Sequence, residues 1–316
     1  MKAPATAPAA VTATVNGPKG VDLDWHGINW AEQEANVRRL RQRIFKASQE
    51  GDLKRVRNLQ KLMLRSYSNT LVSVRRVTQQ STGRKTAGVD GEVVLTPEGR
   101  GRLAAEIHRS AGPWRARPVK RVYIPKANGK QRPLGIPVVR DRVLQACVKN
   151  ALEPEWEARF EPRTYGFRPG RSCQDAIQSI WLTGKGRNAS RQWALDADLA
   201  AAFDRISHDH LMAMIGQFPA RDLLRCWLRA GVMERGRWAP TQEGTPQGGV
   251  ISPLLLNVAL HGMEEAAGCR YGKAPTTRNR AVAGTPVLVR YADLCRIRHR
   301  SAYLIKIGEP ASVSPA

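Results

Sequence analysis

Two apolar segments of this chain end in aspartate, and both have the composition of β-strands. Residues 193–199 (WALDADL) predict a buried strand that ends at Asp198, and residues 286–293 (PVLVRYAD) predict another that ends at Asp293. A carboxylate at the end of a buried strand costs desolvation energy unless a cation or a hydrogen-bond donor compensates it. If the two strands are neighbours in one sheet, their aspartates form a site for hard divalent cations such as Mg²⁺. For each aspartate alone, a turn or helix-cap role is the alternative.

The charge of the chain indicates its class of partner. The 316 residues include 51 Lys and Arg against 27 Asp and Glu, a formal net charge of +24. Such a charge on a folded domain favours a polyanionic partner, nucleic acid above all, with a merely solvated basic surface as the alternative. The length and the 42% apolar content are enough to bury a core, in one large domain or in two to three subdomains.

Several classes of protein are excluded or disfavoured by the same sequence. No run approaches the roughly 20 apolar residues of a membrane span, which excludes an integral membrane protein. Residues 1–20 are interrupted by proline and have no continuous apolar segment, so we interpret them as a disordered tail and not as a secretory signal. The five cysteines form no CxxC pair, which argues against a disulfide framework or a zinc cluster and fits a reducing cytosol.

Basic residues are concentrated in two predicted N-terminal helices. The first begins near Trp30, and the second runs from about Asp52 to Val77, after a turn and helix cap at Gly51 and Asp52. Between positions 37 and 85 the only acids are Glu50 and Asp52, so these helices lack the mixed charge of a surface that serves only solubility. We therefore predict contacts with phosphate groups, against the alternative of simple solvation, for the following side chains: Arg38, Arg39, Arg41, Arg43, Lys54, Arg55, Arg57, Lys61, Arg65, Arg75 and Arg76.

The middle of the chain predicts a hairpin followed by helices. Residues 119–126 and 131–137 alternate as two strands around an Asn-Gly turn. Helices are expected over 141–152 and from 173 to about 182. The second follows a basic turn whose Arg168 and Arg171 either hold nucleic-acid phosphates or bridge loops. The loop over 82–91 contains neither a GxGxxG nor a Walker pattern. For the His208-x-His210 spacing, a helix start is favoured over a metal site.

Six sequence blocks follow one another in the chain: SVRRVTQ (73–79), the hairpin over 122–137, YGFRPGRS (165–172), DLAAAFD (198–204), GTPQGGVISPLL (244–255) and YAD (291–293). In this order they resemble the bacterial group II intron-encoded reverse transcriptases of the retron-type RNA-directed DNA polymerase family. The resemblance covers most of the chain, from about residue 25 to 293. One of these blocks alone would be weak evidence, but the ordered set is very specific.

The resemblance implies an α+β fold of the right-hand polymerase type. The expected organisation is a basic helical extension over 21–85, fingers over 86–190 and a palm over 191–293, with no thumb. It implies an RNA-directed DNA polymerase that uses two Mg²⁺ ions and dNTP substrates. The implied partners are group II intron RNA, an RNA template and a DNA primer, in a bacterial cytoplasmic ribonucleoprotein encoded by a mobile genetic element. No membrane is implied.

The resemblance also implies roles for particular residues. Asp198 and Asp293 would hold the two metal ions, with the Leu199 carbonyl as a further oxygen ligand. Phe203 would lie under the incoming sugar and exclude a 2′-hydroxyl, although an ordinary core position is the alternative. The nucleotide contacts implied for the other blocks are triphosphate binding by Lys126 and Arg132, and packing against the nascent base pair by Gln247 and Gly248.

The chain departs from the family pattern directly after Asp293. Leu294 stands where the family has a second aspartate, and residues 295–300 (CRIRHR) predict a poor buried strand. We therefore expect residues 294–316 to be an aberrant tail of a truncated or frameshifted gene, and polymerase activity to be weak. The alternative function is a non-catalytic, maturase-like RNA-binding remnant. A polymerase that uses rNTPs is disfavoured by Phe203.

Overall fold

The computed structural model describes residues 23–109, 114–125, 129, 131–184, 193–272 and 281–299, apart from the side chains of 193 and 297–299, and it mixes helices with two sheets. The predicted tail over 1–20 and the nucleotide-contact residue Lys126 lie outside these ranges. The described helices are α1 (Trp30–Gln49), α2 (Leu53–Arg65), α3 (Tyr67–Arg75), α4 (Pro97–Arg109), α5 (Val139–Glu157), α6 (Cys173–Gly184), α7 (His208–Ile215), α8 (Arg221–Arg229), α9 (Ser252–Ala259) and α10 (Met263–Ala266). The described strands are β1 (Val119–Pro125), β2 (Gln131–Ile136), β3 (Trp193–Asp198), β4 (Val232–Glu234), β5 (Arg237–Ala239), β6 (Val287–Tyr291) and β7 (Leu294–His299).

The N-terminal helices begin where the sequence predicts, but the second one is divided. Helix α1 starts at Trp30, and the Asp52 side chain caps α2 by accepting from the backbone N–H of Arg55 at 2.9 Å. At Ser66 the backbone becomes extended, and the Ser66 hydroxyl caps a new helix, α3. A single helix from 52 to 77 is therefore wrong, because serine at this position competes as a cap for the backbone groups that a continuous helix would use.

Helix α5 is the centre of the helical core. It is buried on nearly all sides and packs against α1, α2, α3 and α9. Its apolar side chains Val148, Leu152 and Trp156 join one cluster with Ile44, from α1, and with residues of α7, α8 and α9. The predicted helix over 141–152 is confirmed and is longer than expected at both ends. Among the described residues, no helix is both long and apolar enough to span a bilayer.

The predicted hairpin is confirmed as part of a larger sheet. Strands β1 and β2 pair antiparallel, with Lys120 opposite Ile136 and Pro125 opposite Gln131. A short hairpin of β4 and β5, which the sequence analysis did not predict, adds to this sheet by parallel pairing of β4 with β1. The strand order in the described part of the chain is β2-β1-β4-β5.

The second sheet contains both aspartate-ending strands, in the order β3-β7-β6. Strand β6 is buried as predicted, but β3 is not, because it occupies the outer position of the described sheet and its acidic face is exposed. The prediction that 295–300 forms a poor strand is also wrong, since β7 lies between the two other strands. Its period-2 pattern buries Cys295, and Arg296 on the opposite face pairs with Asp196 of β3.

Candidate active site

The sheet brings the two predicted metal-binding aspartates together. Asp198 ends β3 opposite Leu294, and Asp293 lies in the tight turn between β6 and β7. The backbone N–H of Leu199 donates to the Asp293 carbonyl at 3.2 Å, which joins the two acidic ends directly. Burial raises the pKa of the Cys295 thiol to about 11; the charge of Arg290 opposes this rise, and the charges of Asp293 and Asp198 add to it. The two acidic segments therefore meet at the start of β7.

The turn that carries Asp293 has an unusual backbone. Ala292 is buried and has φ +58°, in the left-handed region that residues with a side chain rarely adopt. Gly166 packs so closely against it that a Cβ on this glycine would lie 2.1 Å from the Ala292 nitrogen. The N–H of Tyr165 donates to the Arg290 carbonyl at 2.9 Å, so the loop around Gly166 and the strand before the turn form one unit.

The donor groups at this site fit a hard divalent cation. Asp198 is exposed, Asp293 is half-buried, and both offer carboxylate oxygens, while Leu199 follows Asp198 directly in the chain and supplies a backbone carbonyl. Within the described ranges, no group of three or more His, Cys, Asp or Glu side chains is placed to share a metal ion. Mg²⁺ commonly binds through one or two carboxylates while keeping water or substrate phosphates as its other ligands. The two aspartates are therefore of the ligand type that Mg²⁺ prefers.

A groove of about 560 Å³ runs between helix α6 and the face of the sheet that carries Asp198. Its wall is mainly apolar and includes Ile177, Tyr291 and Leu294. Leu294, at the position of the family's second aspartate, is 57% exposed. Asp198 therefore borders a space large enough for part of a ligand, and Asp293 lies next to Leu294 of its wall.

The predicted nucleotide-contact residues on the described part of the chain lie around one junction. Arg132 is exposed on β2, and Gly135 of the same strand donates its N–H to the Gln247 carbonyl at 2.7 Å. Gly248 has φ +116°, and a Cβ on it would lie 2.8 Å from the Gly135 oxygen, so only glycine fits this approach.

Phe203 connects this junction to the aspartate strand. Its carbonyl accepts from the N–H of Thr245 at 2.7 Å, and its half-buried ring meets the exposed ring of Phe167 edge-on, with centroids 6.0 Å apart. It also packs against the main apolar cluster. Phe203 therefore packs against the core and also contacts an aromatic ring near the surface.

The histidines after the aspartate strand are structural. Ser207 caps α7, as the favoured interpretation predicts. The Nε2 atoms of His208 and His210 lie 2.7 and 3.1 Å from the carbonyls of Gly244 and Ala259, respectively. The two rings therefore contact separate carbonyls and fix α7 to neighbouring segments.

Some buried polar residues around the turn were not identified from the sequence. Arg290 is fully buried in β6, and Asn257 of α9 is buried beside it. The available signal was weak: Arg290 is the one charged residue within the apolar run before Tyr291. Its importance becomes visible only when the fold brings Asn257 and Gly166 next to it.

Several of the N-terminal arginines predicted to contact phosphate are paired with acids instead. Arg41 pairs with Glu153 at 2.6 Å and Arg57 pairs with Glu155 at 2.8 Å, both across to α5. The acids come from a segment about a hundred residues away, so local charge counting did not include them. Further members of the predicted set that pair with acids are Arg55, with Glu50, and Arg75, with Glu34.

The arginines of the basic turn bridge loops, which was one of the two roles considered for them. Arg168 is buried and binds Glu157 through its Nε and Nη2 atoms, and its Nη1 donates to the carbonyls of Glu161 and Thr164. Arg171 donates to the Pro162 carbonyl at 2.6 Å.

The remaining basic residues of the N-terminal helices form an exposed surface. Within the described ranges, no ion pair is found for the exposed side chains of Arg38, Arg39, Arg43, Lys54, Lys61, Arg65 and Arg76. Arg38 and Arg76 line a cleft of about 480 Å³, together with Lys149 of α5 and the exposed ring of Phe167. Glu34 and Glu153 also line this cleft, and Lys149 pairs with Glu153 at 3.5 Å. Cations beside an exposed aromatic ring are typical of surfaces that bind single-stranded nucleic acid.

The two aspartate-ending strands are not neighbours, because β7 lies between them, but their acids lie at the same end of the sheet. An acid pair at one end of a sheet, within a basic chain of mixed helices and sheets, is typical of nucleic-acid polymerases. Comparison with known families agrees with this class. Residues 25–107 match the N-terminal domain of reverse transcriptase, and residues 124–298 match the family described as reverse transcriptase (RNA-dependent DNA polymerase). The chain therefore belongs to the reverse transcriptase family.

Similar curated proteins confirm the resemblance to group II intron proteins and maturases. Protein YkfC of Escherichia coli K12 is 39% identical over 69% of this chain and 60% of its own length. Group II intron-encoded protein LtrA of Lactococcus lactis subsp. cremoris is 38% identical over 49% of this chain and 26% of its own length. Maturase-like protein 1 of Euglena gracilis is 30% identical over 77% and 53%, respectively. The chain thus spans between a quarter and three fifths of these relatives.

Proposed function

We propose that this chain is an RNA-directed DNA polymerase of the group II intron type, which extends a DNA primer along an RNA template with dNTPs. The observation that carries the proposal is the backbone hydrogen bond from Leu199 to Asp293, because it joins the segment of Asp293 to the end of β3, where Asp198 borders the groove. The match of residues 124–298 to the reverse transcriptase family supports the same reaction.

Asp198, Asp293 and the Leu199 carbonyl are the groups that would hold two Mg²⁺ ions. When bound, the ions would supply activation of the primer 3′-hydroxyl and neutralisation of the charge on the leaving pyrophosphate. The protein's own contribution would be to hold Asp198 at the end of β3 and Asp293 in the β6–β7 turn, at the same end of the sheet. Their oxygens are the ligand type that Mg²⁺ prefers.

The surrounding residues would orient the nucleotide. Arg132, with Lys126, would contact the triphosphate, where guanidinium and ammonium groups suit phosphate oxygens. Phe203 would lie under the sugar and exclude a 2′-hydroxyl, and its position beside Phe167 keeps the ring near the surface. Gln247 and Gly248 would pack against the nascent base pair, since the glycine allows close backbone approach.

The RNA template would occupy the basic cleft lined by Arg38, Arg76 and Lys149. This assignment gives the regions of the chain distinct roles: the extension over 21–85 grips RNA, the fingers over 86–190 hold the nucleotide, and the palm from 191 carries the acids. We extend the palm to residue 299, because β7 is an integral strand of its sheet. The partners would be intron RNA and primer–template, within a ribonucleoprotein.

A second candidate function is a maturase-like RNA-binding protein without polymerase activity. The observation that favours it is Leu294, which leaves the family's second acidic position occupied by an exposed apolar side chain. Loss of one carboxylate at a phosphoryl-transfer site weakens stabilisation of the transition state. We therefore expect the polymerase activity of the chain to be low.

Primer extension on an RNA template with dNTPs and Mg²⁺ tests the proposal. Asp198→Ala should abolish extension, whereas Asp196→Ala, which removes a nearby acid that is paired with Arg296, should retain it. RNA affinity should be unchanged in both variants. If wild type and both variants bind RNA but extend no primer, the polymerase proposal is wrong and the RNA-binding function stands.

A further inference from the structure

Arg290 is a fully buried cation placed three residues before the proposed metal ligand Asp293. It has 0% exposure, and its Nη1 atom donates to the Asn257 Oδ1 atom at 3.0 Å and to the Ala292 carbonyl at 3.2 Å. Burial lowers the pKa of Arg290, and the negative charge of Glu161 opposes that change. Burying a charge costs desolvation free energy, so Arg290 needs contacts that compensate it.

Asn257 connects Arg290 to the loop around Gly166, which supports the turn. This side chain is buried on α9, and its Nδ2 atom donates to the Gly166 carbonyl at 2.9 Å. Gly166 in turn packs directly against the backbone of Ala292. Arg290, Asn257, Gly166 and Ala292 therefore form a closed ring of contacts around the turn, which we call the turn clamp.

The turn needs outside support because of its backbone. Ala292 is left-handed at φ +58°, a conformation that an alanine holds only when its surroundings enforce it. On the far side of the turn, the Asp293 carbonyl accepts from Leu199 at 3.2 Å. A relaxed Ala292 would move the peptide that makes this bond.

We propose that Arg290 is a positioning residue that, through the turn clamp, keeps the Ala292–Asp293 turn docked on Leu199 and so sets Asp293 beside Asp198. The catalytic meaning of this position rests on the proposed polymerase function. The docking itself does not, and it can be measured without substrate or metal.

Hydrogen exchange of the Leu199 amide reports the docking directly. Arg290→Lys keeps the buried charge, but its ammonium is one atom closer to the backbone than Nη1, so it should lose the two hydrogen bonds that Nη1 makes. The Leu199 amide should then exchange at least tenfold faster relative to the amide of Leu152 in α5. The ratio cancels any loss of global stability. Arg142→Lys is the matched control, because Arg142 is also buried and donates to backbone carbonyls, those of Gly83 and Thr86. A Leu199/Leu152 ratio within twofold of wild type in Arg290→Lys would overturn the proposal.

Two further variants keep the test decisive. Asn257→Leu removes the hydrogen bonds to Arg290 and Gly166 while leaving Arg290 in place, so it should raise the ratio of Leu199 to Leu152 exchange. It replaces Arg290→Lys in the test if that variant does not fold. Ala292→Gly adopts a positive φ without strain, so adding it to Arg290→Lys should return the ratio to within threefold of wild type. Failure of this rescue would mean that Arg290 does not act through the turn.

Mn²⁺ binding, measured by the loss of the free-ion electron paramagnetic resonance signal, separates this inference from the proposed function. Wild type should bind Mn²⁺ at least tenfold more tightly than Asp198→Ala, and Arg290→Lys should lie between them. Equal binding by wild type and Asp198→Ala would refute the metal site and hence the proposed function. The Leu199 ratio would still decide whether Arg290 holds the turn.

Discussion

At the scale of single residues, Leu294 is the position at which the chain departs from the family pattern beside the proposed site. It lies opposite Asp198 in the β3–β7 register, and its side chain is mostly in solvent. An acid placed here would be well hydrated and would face the proposed metal site. The position therefore tolerates the family's aspartate structurally, although the sequence has leucine.

Leu294→Asp should raise the rate of primer extension at least tenfold, because it adds a third carboxylate where positive charge is to be bound. Leu294→Asn is the matched control, since it has the same shape without the charge and should leave the rate near that of wild type. Single-turnover extension under saturating primer–template measures both. Equal rates for the two variants would show that a missing carboxylate is not what limits activity.

Glu264 gives the protein a predicted pH dependence of stability. Burial raises the pKa of this carboxyl to about 7, and the charge of Glu161 adds to the rise. Because the folded state keeps a proton that the unfolded state releases above its ordinary pKa of 4.5, this group loses its stabilising effect as the pH rises from about 4.5 to about 7.

Glu264→Gln should therefore become progressively more stable than wild type over that interval, by on the order of 3 kcal/mol in all. Urea unfolding at pH 4.5 and pH 8 measures the difference in free energy of unfolding between Glu264→Gln and wild type at each pH. Glu265→Gln, at the exposed neighbouring position, should show no such trend. A difference in free energy of unfolding between Glu264→Gln and wild type that stays constant with pH would contradict the prediction.

At the scale of elements, the junction of α2 and α5 depends on one buried carboxylate. Glu155 of α5 accepts from Arg57 at 2.8 Å and from the Gln60 side chain at 2.7 Å. These contacts join the N-terminal extension to the central helix through a pair whose acid is buried. Removing one partner of such a pair leaves the other without compensation.

Glu155→Gln should lower the free energy of unfolding by about 3 kcal/mol, because Arg57 then lacks its counter-charge. The exposed pair of Arg55 and Glu50 supplies the control, and Glu50→Gln should cost less than about 1 kcal/mol. Chemical denaturation monitored by tryptophan fluorescence compares the two. Similar losses would mean that burial does not distinguish the pairs.

Local sequence patterns predicted the elements whose signals lie within a few residues. The cap at Asp52, the β1–β2 hairpin and helix α6 are examples. Features set by distant partners were missed. Cys295 and Arg296 make a good strand only because Leu288 and Asp196 lie on either side of them, and Arg57 is neutralised by an acid of a remote helix.

The candidate site divides in the same way. Asp198 and Asp293 were predicted from their positions at strand ends, and they do lie together. The turn clamp was not predicted, because its members become neighbours only after β6, α9 and the Gly166 loop have packed. A buried arginine in an apolar strand gives no indication from sequence of which carbonyls it will bind.

At the scale of the whole molecule, the net charge of +24 does not show which cations can bind RNA. Some cations of the N-terminal helices pair with acids, and others have no ion pair within the described ranges. The pairs to α5 hold the N-terminal helices in place, and the exposed cations that remain include Arg38 and Arg76 of the cleft. We therefore expect RNA affinity to depend on the second group. Formal charge alone does not distinguish the two.

RNA binding should weaken steeply with salt, and Arg38→Ala/Arg76→Ala should reduce the slope of log K against log [KCl] by about 1.4, as expected for two lost phosphate contacts on a single strand. Arg229→Ala, an exposed arginine of α8, should leave the slope unchanged. Fluorescence anisotropy with a labelled RNA gives both slopes. An unaltered slope in the double variant would exclude the cleft as the phosphate-binding surface.

The central position of β7 also determines the stage of synthesis and folding at which the proposed site can form. Its residues pair with β3 partners about a hundred positions earlier in the chain, a contact between distant segments that closes late in folding. During synthesis the ribosome releases β3 long before β7, so Asp198 emerges without its neighbour. The nascent protein can therefore expose its basic helices to RNA before the acidic pair is assembled. Under the proposed function, RNA capture would precede catalytic competence in the life of each molecule.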